Sequence, residues 1–414
     1  MPDSKVINLK NIHYGWIIAI TGTFCIVACL GLGRFALGML LPSMGKALDL
    51  SYSQMGYIGT GNFIGYLGSV FIAGNIIARY GQRIFIFFSL IIVGFTMILL
   101  SRCGNYQYIL ILYILTGIGS GGANVSMMSL VSFWFSKKMR GKAAGIMTIG
   151  SGFAIVFSGF FIPYINNIAG QDGWRLNWLI LGLMVIVIAI FCLALLRNNP
   201  EELGLKPIGE DLSQSSANSL SKLPEINIYK LPVIYHLGLL YFLFGYTYVI
   251  YATFIVTTLV KERGFSETIA GNFWSIVGLL SLLSGPVFGS LSDRIGRKGG
   301  LGLVFTFQFL AYILIASGLP GIFLYASIFF YGVVAWSIPT IMAAAVGDYV
   351  GQKYAAKAFG FITFIFGIGQ ITGPAVAGKL AEQTGSFSGS FYMASAMAFI
   401  AVILSLFLKK PTLR

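Results

Sequence analysis

The sequence predicts an all-α membrane protein with twelve transmembrane helices arranged in two pseudo-symmetric halves of six. Three observations lead to this fold class. Of the 414 residues, 57% are hydrophobic and only 10% are charged, whereas soluble domains carry about 25% charged residues. Apolar runs recur that are long enough to cross a bilayer, which takes about 20 helical residues. The second half of the chain also repeats the first at a constant offset of 215 residues.

Each predicted span is an apolar run that ends at polar or charged residues. The first run is far longer than the apolar core of a cleavable signal peptide, which has about 7–15 residues. A polar, Ser-rich and Pro-containing stretch at 197–230 predicts a cytoplasmic linker, so the predicted halves are residues 1–196 and 231–414. The twelve spans cover residues 14–45, 55–77, 84–101, 108–134, 144–167, 177–196, 232–259, 268–290, 300–317, 322–346, 358–380 and 389–408.

The distribution of Lys and Arg predicts the orientation. With both termini inside, 20 of the 27 basic residues fall in inner segments and six in outer segments, and the remaining one is Arg34. Cytoplasmic loops carry such an excess of basic residues. We therefore expect cytoplasmic termini in a bacterial inner membrane. Because most of the basic residues fall in the inner segments, the net charge of +14 is explained by membrane orientation and does not indicate a nucleic-acid partner.

The internal repeat extends across spans and loops. Two sets of six spans with a solute path between them are typical of transporters. The matched pairs are Ser51 and Ser266, Gly56 and Gly271, Gly74 and Gly289, Arg79 and Arg294, Gly81 and Gly296, and Gly145 and Gly360.

Two loops within this repeat carry a family motif. GNIIARYGQR at 74–83 and GSLSDRIGRK at 289–298 resemble the signature of the major facilitator superfamily (MFS), which implies its twelve-helix fold. In that family the loop is a cytoplasmic latch between the halves. The first copy departs from the motif, with Ala78 in place of the acid and Gln82 in place of a base. The latch residues so implied are Gly74, Arg79, Gly81 and Arg83, and Gly289, Asp293, Arg294, Gly296, Arg297 and Lys298.

A narrower resemblance concerns four short motifs. HYGW (13–16), WFSKKMRGKAAG (134–145), GWRLNW (173–178) and RNNPEELGL (197–205) are similar to the branch of oxalate/formate antiporters and monocarboxylate transporters. That branch implies a small carboxylate as substrate. Its cations usually lie on span eight or eleven, however. Here span eight has no cation inside it and Lys379 is at the outer end of span eleven, so the resemblance does not identify the substrate of this chain.

Arg34 is the central candidate for the site. It lies in an otherwise uncharged run from Ile17 to Met44, about 7 Å of helix rise past the midpoint. A guanidinium stays charged at ordinary pH, and a charge at this depth costs about 3 kcal/mol. We therefore expect Arg34 to line a solute path and to hold an anion. The alternative is that the side chain snorkels to the outer surface or pairs with carbonyls at a helix C-terminus.

Other polar or aromatic residues within the spans are candidates for the same path, because such groups usually face the bundle interior. Three tyrosines on span seven are predicted to share a face, with aromatic packing as the alternative. Asn124 follows a glycine run, and for this residue an interhelical hydrogen bond is an equal alternative to a role in substrate binding. Gly and Pro near Gln370 loosen span eleven. The predicted substrate-binding set is Arg34, Asn62, Asn124, Tyr241, Tyr248, Tyr251, Trp336 and Gln370.

The function predicted from these residues is secondary active transport of a small organic anion, a mono- or dicarboxylate, by alternating access with proton coupling or exchange. One alternative is an MFS exporter of drugs or other amphiphiles, which commonly needs a buried acid that the spans lack. Another is a membrane sensor that binds solute without moving it. The sequence contains no Walker loop, nucleophile elbow or metal-ligand cluster, so we expect no enzyme activity and no cofactor. We expect a monomer.

Overall fold

The computed structural model describes residues 13–136, 138–209 and 227–409, without the side chains of residues 352 and 353. Across these residues the chain forms twelve membrane-length helices, which confirms the predicted fold class. In chain order they are α1 Tyr14–Ala47, α2 Tyr52–Tyr80, α3 Gln82–Leu100, α4 Tyr106–Trp134, α5 Arg140–Ala169, α6 Gly173–Leu195, α7 Pro232–Glu262, α8 Glu267–Ile295, α9 Arg297–Ala316, α10 Gly321–Val350, α11 Gln352–Thr384 and α12 Ser388–Leu406.

Several helices extend beyond the apolar runs, because helix ends are set by capping groups as well as by hydropathy. α2 begins three residues before the predicted span, where Ser51 and Gln54 form a capping box. It ends at Gly81, whose φ of 78° is a conformation that glycine adopts readily. The predicted spans therefore mark the lipid-crossing cores of longer helices.

Two helices are irregular near their midpoints. In α1, residues Val27–Phe35 wind as a π-helix, and this segment contains Arg34. In α10, the helix is interrupted between Val334 and Ser337, and Trp336 lies in the interruption. Wide turns inside α-helices are frequent at functional sites. Both irregularities fall next to residues that the sequence singles out.

Glycines let neighbouring helices approach closely within each half. A Cβ on Gly117 of α4 would overlap the carbonyl oxygen of Asn62 in α2, and a Cβ on Gly121 would overlap that of Tyr66. Gly369 and Gly373 of α11 make the equivalent approach to α7. Small residues at helix interfaces permit such backbone contact. These contacts fix the positions of α2 and α7 beside the centre of the bundle.

The two halves meet along two glycine-lined contacts at the predicted outer end, here called the outer seam. Gly56 of α2 lies against Pro374 and Gly378 of α11, and Gly159 of α5 lies against Gly271 of α8. Hydrogen bonds reinforce the seam. The hydroxyl of Thr60 donates to the carbonyl of Ile371 at 2.8 Å, and the amide of Asn166 donates to the carboxylate of Glu267 at 2.6 Å.

Some glycines toward the predicted cytoplasmic end are less closely packed. A Cβ on Gly68 or Gly74 of α2, Gly145 of α5 or Gly360 of α11 would meet no atom within 4 Å. The halves still touch in this region, since the rings of Phe71 in α2 and Phe364 in α11 lie 5.7 Å apart. The close backbone contacts of the outer seam are therefore absent at these four positions.

The first part of the predicted linker packs against the first half. The backbone of Ile208 bonds to Ser136 and Trp134, each at 2.9 Å, and the indole of Trp134 donates to the carbonyl of Arg197 at 2.9 Å. Residues 197–209 therefore form an ordered clasp below α4. Residues 210–226, the middle of the predicted linker, lie outside the described residues.

We expect Gly117→Ala to destabilise the protein, since the new methyl would overlap the backbone of α2 rather than a flexible side chain. Overpacking of this kind costs about 1–3 kcal/mol. Thermal unfolding of the purified protein in detergent should show a midpoint lowered by several degrees. Gly68→Ala is the matched control, because a methyl there enters open space. Equal midpoints for both variants would contradict the close contact between α2 and α4.

Candidate functional site

Arg34 lies in the interior of the bundle between α1 and α2. Only 9% of the residue is exposed, and its Nε donates to Oδ1 of Asn62 at 3.1 Å. Its guanidinium carbon lies 4.5 Å from the ring centroid of Phe63 and 4.3 Å from that of Tyr66. Cation–π contacts of this kind stabilise a desolvated cation. The structure therefore differs from the snorkelling alternative, in which the side chain would reach the outer surface.

The π-helix of α1 holds Arg34 in place. Tyr113 of α4 donates its hydroxyl to the carbonyl of Arg34 at 3.1 Å. Gly31 packs on Ala154, and Gly33 packs on Ser120. Close packing on both sides and a bonded carbonyl fix the backbone, so that the guanidinium is held by its own helix as well as by Asn62.

Tyr66 connects Arg34 to a second polar residue. The amide of Asn124 donates to the hydroxyl of Tyr66 at 2.6 Å, while the ring of Tyr66 lies against Arg34. Sequence reasoning selected Asn62 and Asn124 but missed Tyr66. The signal was present, because Tyr66 follows Asn62 by four residues and so occupies the same face of α2.

The second half faces this group with a polar and aromatic set. The amide nitrogen of Gln370 donates to the hydroxyl of Tyr248. The ring of Trp336 lies 5.2 Å from that of Phe35 and 5.9 Å from that of Tyr248. Three predicted residues, Tyr248, Trp336 and Gln370, are thus brought together beside α1.

The other two tyrosines of α7 in the predicted set are engaged in aromatic packing. Tyr241 stacks on Phe366 with ring centroids 4.3 Å apart. Tyr251 stacks on Tyr331 at 4.0 Å and bonds to the hydroxyl of Ser327 at 3.0 Å. Tyr251 therefore contacts α10, whereas Tyr248 contacts Trp336 and Gln370. The binding role of Tyr241 and Tyr251 stays a prediction, with aromatic packing as its alternative.

A small cavity of about 20 Å³ adjoins Arg34, enough for about one water molecule. Among the residues that line it, Arg34 is the only charged one. The lining consists of Arg34, Phe35, Leu37, Gly38, Gly59, Asn62, Phe63, Tyr113, Tyr248, Val249, Ala252 and Thr253. The cavity therefore lies between α1, α2 and α7, at the contact of the two halves.

Several buried polar atoms around Arg34 have no hydrogen-bond partner. They are Nη2 of Arg34, Nδ2 of Asn62, Oδ1 of Asn124 and Nε1 of Trp336. Among the described residues no carboxylate forms an ion pair with Arg34. Leaving a buried polar group unpaired costs about 1–3 kcal/mol, and more for a charged group. The unpaired Nη2 of Arg34 and Nδ2 of Asn62 are donors that an anion beside them can satisfy.

The two latch loops differ in how they are held. In the second loop, Arg297 pairs with Asp293 at 2.5 Å and with Asp348 of α10 at 2.6 Å. The first loop lacks the corresponding acid. There the side-chain oxygen of Asn198, from the linker clasp, accepts from the backbone N–H of Arg83 at 2.9 Å, and Nε of Arg83 donates to the carbonyl of Leu193 at 2.8 Å.

We expect Asn198→Ala to accelerate hydrogen exchange at the Arg83 amide about fivefold, because one neutral hydrogen bond contributes about 1 kcal/mol. Hydrogen–deuterium exchange with mass spectrometry of peptides spanning the loop measures this. Asn199→Ala is the neighbouring control. An unchanged rate in Asn198→Ala would show that the clasp does not hold the loop.

Twelve helices in two repeated halves, with Arg34 as the one buried cation among the described residues, define a membrane transporter with the major facilitator fold. The family model described as "Uncharacterised MFS-type transporter YbfB" matches residues 26–406. The chain therefore belongs to this family of MFS-type transporters, and it is a transporter rather than an enzyme.

Similar proteins agree with this assignment. The chain is 26% identical over 388 residues to the hexuronate transporter of Bacillus subtilis (strain 168), covering 89% of each chain. It is 23% identical to the probable sulfoacetate transporter SauU of Cupriavidus necator, covering 94% of this chain and 93% of that one. A bacterial homolog of the human lysosomal transporter Spinster, in an inward-facing and occupied conformation, superposes with a TM-score of 0.78 at 16% identity, over 95% and 97% of the chains.

Proposed function

We propose that this protein is a secondary active transporter of a small organic anion, a mono- or dicarboxylate, which Arg34 binds at the contact of the two halves. The observation that carries the proposal is a buried guanidinium with a free Nη2 and no carboxylate partner among the described residues. Charge-assisted hydrogen bonds to such a group are among the strongest in proteins. An anionic solute supplies the missing partner.

The arrangement of the halves suggests how transport proceeds. Arg34 and Asn62 belong to the half at residues 1–196, while Tyr248, Trp336 and Gln370 belong to the half at 231–414. A solute bound by both sets couples the rocking of one half to the other, with the linker at 197–230 joining them. Two relatives are named for hexuronate and sulfoacetate, which are small organic anions, and this supports the substrate class.

The finer features are part of the same proposal. We infer proton symport or anion exchange as the coupling, a monomer as the transporting unit, and cytoplasmic termini in a bacterial inner membrane. The resemblance to the oxalate/formate and monocarboxylate branch stays a prediction. An exporter of cationic drugs fits less well, because none of the residues lining the cavity is acidic.

Ligand stabilisation followed by uptake tests the proposal. Purified protein is unfolded thermally with lactate, pyruvate, oxalate, glucuronate, sulfoacetate and a cationic dye such as ethidium. We expect at least one anion to raise the midpoint, and sealed proteoliposomes to accumulate that anion. Stabilisation and accumulation of the dye alone would favour the drug exporter. Binding of an anion without accumulation would favour a sensor.

A further inference from the structure

The charge of Arg34 is not neutralised by any acidic side chain among the described residues. Those acids all lie in loops or in the first or last turn of a helix, and none of their ion pairs includes Arg34. They are Asp49, Asp172, Glu201, Glu202, Glu262, Glu267, Asp293, Asp348 and Glu382. An uncompensated charge inside the membrane is costly. The protein therefore needs a counter-ion at Arg34 even when no organic solute is bound.

The cavity beside Arg34 sets the size of this counter-ion. Its volume of about 20 Å³ accommodates about one water molecule. We propose that a chloride ion, or another halide of similar size, binds in this cavity when no organic anion is present. A chloride ion is only slightly larger than a water molecule, and its single negative charge neutralises one guanidinium.

The polar atoms at the cavity are suited to an anion. Nη2 of Arg34 and Nδ2 of Asn62 are buried and unpaired, and both residues line the cavity. The hydroxyl of Tyr248, which also lines it, accepts from the amide of Gln370, so its own proton is available to donate. A halide accepts hydrogen bonds from all three groups. A water molecule could accept the same bonds, but it would leave the positive charge unneutralised.

The hydrogen bond between Arg34 and Asn62 brings the two unpaired donors together. Nε of Arg34 donates to Oδ1 of Asn62 at 3.1 Å. Nε and Nη2 lie on the same edge of the planar guanidinium, and Nδ2 belongs to the same amide as Oδ1. Both donors therefore lie beside this one bond. The rings of Phe63 and Tyr66 lie against the guanidinium, so this edge is the natural place for a small ion.

Thermal unfolding of the purified full-length protein tests for the ion. Sodium chloride and sodium bromide are compared with sodium methanesulfonate at equal concentration, because the methanesulfonate anion is too large for the cavity. We expect both halides to raise the midpoint in a saturable way. Arg34→Ala should lose this response, whereas Arg102→Ala, which removes the same charge from an exposed outer position, should keep it. Equal midpoints in the three salts, or an undiminished response in Arg34→Ala, would overturn the proposal.

Asn62→Asp supplies the missing negative charge from the protein itself. The new carboxylate can still accept from Nε of Arg34. We expect the midpoint in methanesulfonate to rise at least to that of the wild-type protein in chloride, and the response to chloride to disappear. Asn167→Asp adds the same charge at an exposed position and should respond as the wild type does. A full chloride response in Asn62→Asp would contradict a halide at Arg34.

Anomalous diffraction from crystals grown in sodium bromide locates the ion directly. We expect a bromide peak within hydrogen-bonding distance of Nη2 of Arg34 and Nδ2 of Asn62. Bromide peaks at other places alone would show that the stabilising ion binds elsewhere, and would overturn the assignment.

Competition with an organic anion is a consequence that rests on the proposed function. Both anions need Nη2 of Arg34, so the organic anion that stabilises the protein should be required at higher concentration in chloride than in methanesulfonate. An equal requirement in the two salts would count against a shared site and so against the proposal. A chloride response without binding of any organic anion would support the halide site and contradict the proposed function.

Discussion

Arg34→Ala is expected to lower anion uptake at least about 100-fold. Removing one partner of a buried charge pair costs about 3–5 kcal/mol, and each 1.4 kcal/mol is a factor of ten. Initial rates of uptake into proteoliposomes measure the loss. We expect the variant to fold, because among the described residues no carboxylate forms an ion pair with Arg34. Its removal takes an uncompensated cation out of the bundle, so the thermal midpoint should be unchanged or higher.

Arg34→Lys should recover little of this activity. An ammonium cannot keep the in-plane bond from Nε to Asn62 while presenting a flat edge to a carboxylate. Arg102→Ala removes the same charge from an exposed outer position and should transport normally. Uptake near the wild-type rate in both Arg34 variants would refute the role of this residue.

Gly159→Leu should abolish transport while leaving each half folded. Gly159 lies against the carbonyl oxygen of Gly271 and the side chain of Ser275, so a larger side chain holds α5 away from α8 and keeps the outer seam from closing. A carrier that cannot seal one end cannot complete alternating access. Overpacking costs about 1–3 kcal/mol, and here it raises the free energy only of the state in which the outer seam is closed. We therefore expect uptake to fall below about a tenth of the wild-type rate.

Accessibility separates this effect from misfolding. A cysteine introduced at Ser275 in a background without native cysteines should react faster with a membrane-impermeant maleimide added outside when Gly159 is leucine. Gly104→Leu is the control, because Gly104 lies in an outer loop with no atom within 4 Å of a new Cβ. Normal uptake by Gly159→Leu would mean that the outer seam need not close.

Most of the fold follows from local sequence features. Hydropathy gives the spans, because a helix in lipid must cover its backbone with apolar side chains, while the orientation drawn from the basic residues stays a prediction. The π-helix around Arg34 and the break at Trp336 were not predicted. No local signal specifies them, since both involve contacts with other helices. The π-helix lies where Gly31 and Gly33 pack against α5 and α4, and at the break the backbone N–H of Trp336 donates to the hydroxyl of Ser284 in α8 at 3.1 Å.

The site was predicted only in part, because some of its residues stand out in the sequence and others do not. Arg34 and Asn62 stand out because charged and amide groups are rare in lipid, and they are hydrogen-bonded to each other. Tyr66 does not stand out among 21 tyrosines, although it lies against the guanidinium. The binding role of Tyr251 stays a prediction, because helical spacing places it beside Tyr248 while its ring stacks on that of Tyr331 in α10.

The wide turn in α1 has a consequence for how this chain tolerates insertions and deletions. A π-turn accommodates one residue more than regular α-helical winding. Deleting one residue between Leu30 and Gly33 would let the segment relax to ordinary winding without turning the helix on either side. A deletion in a regular α-helical part of the chain instead turns one side by about 100°. The wide turn is therefore the place in α1 where the loss of one residue disturbs the packing of the flanking segments least.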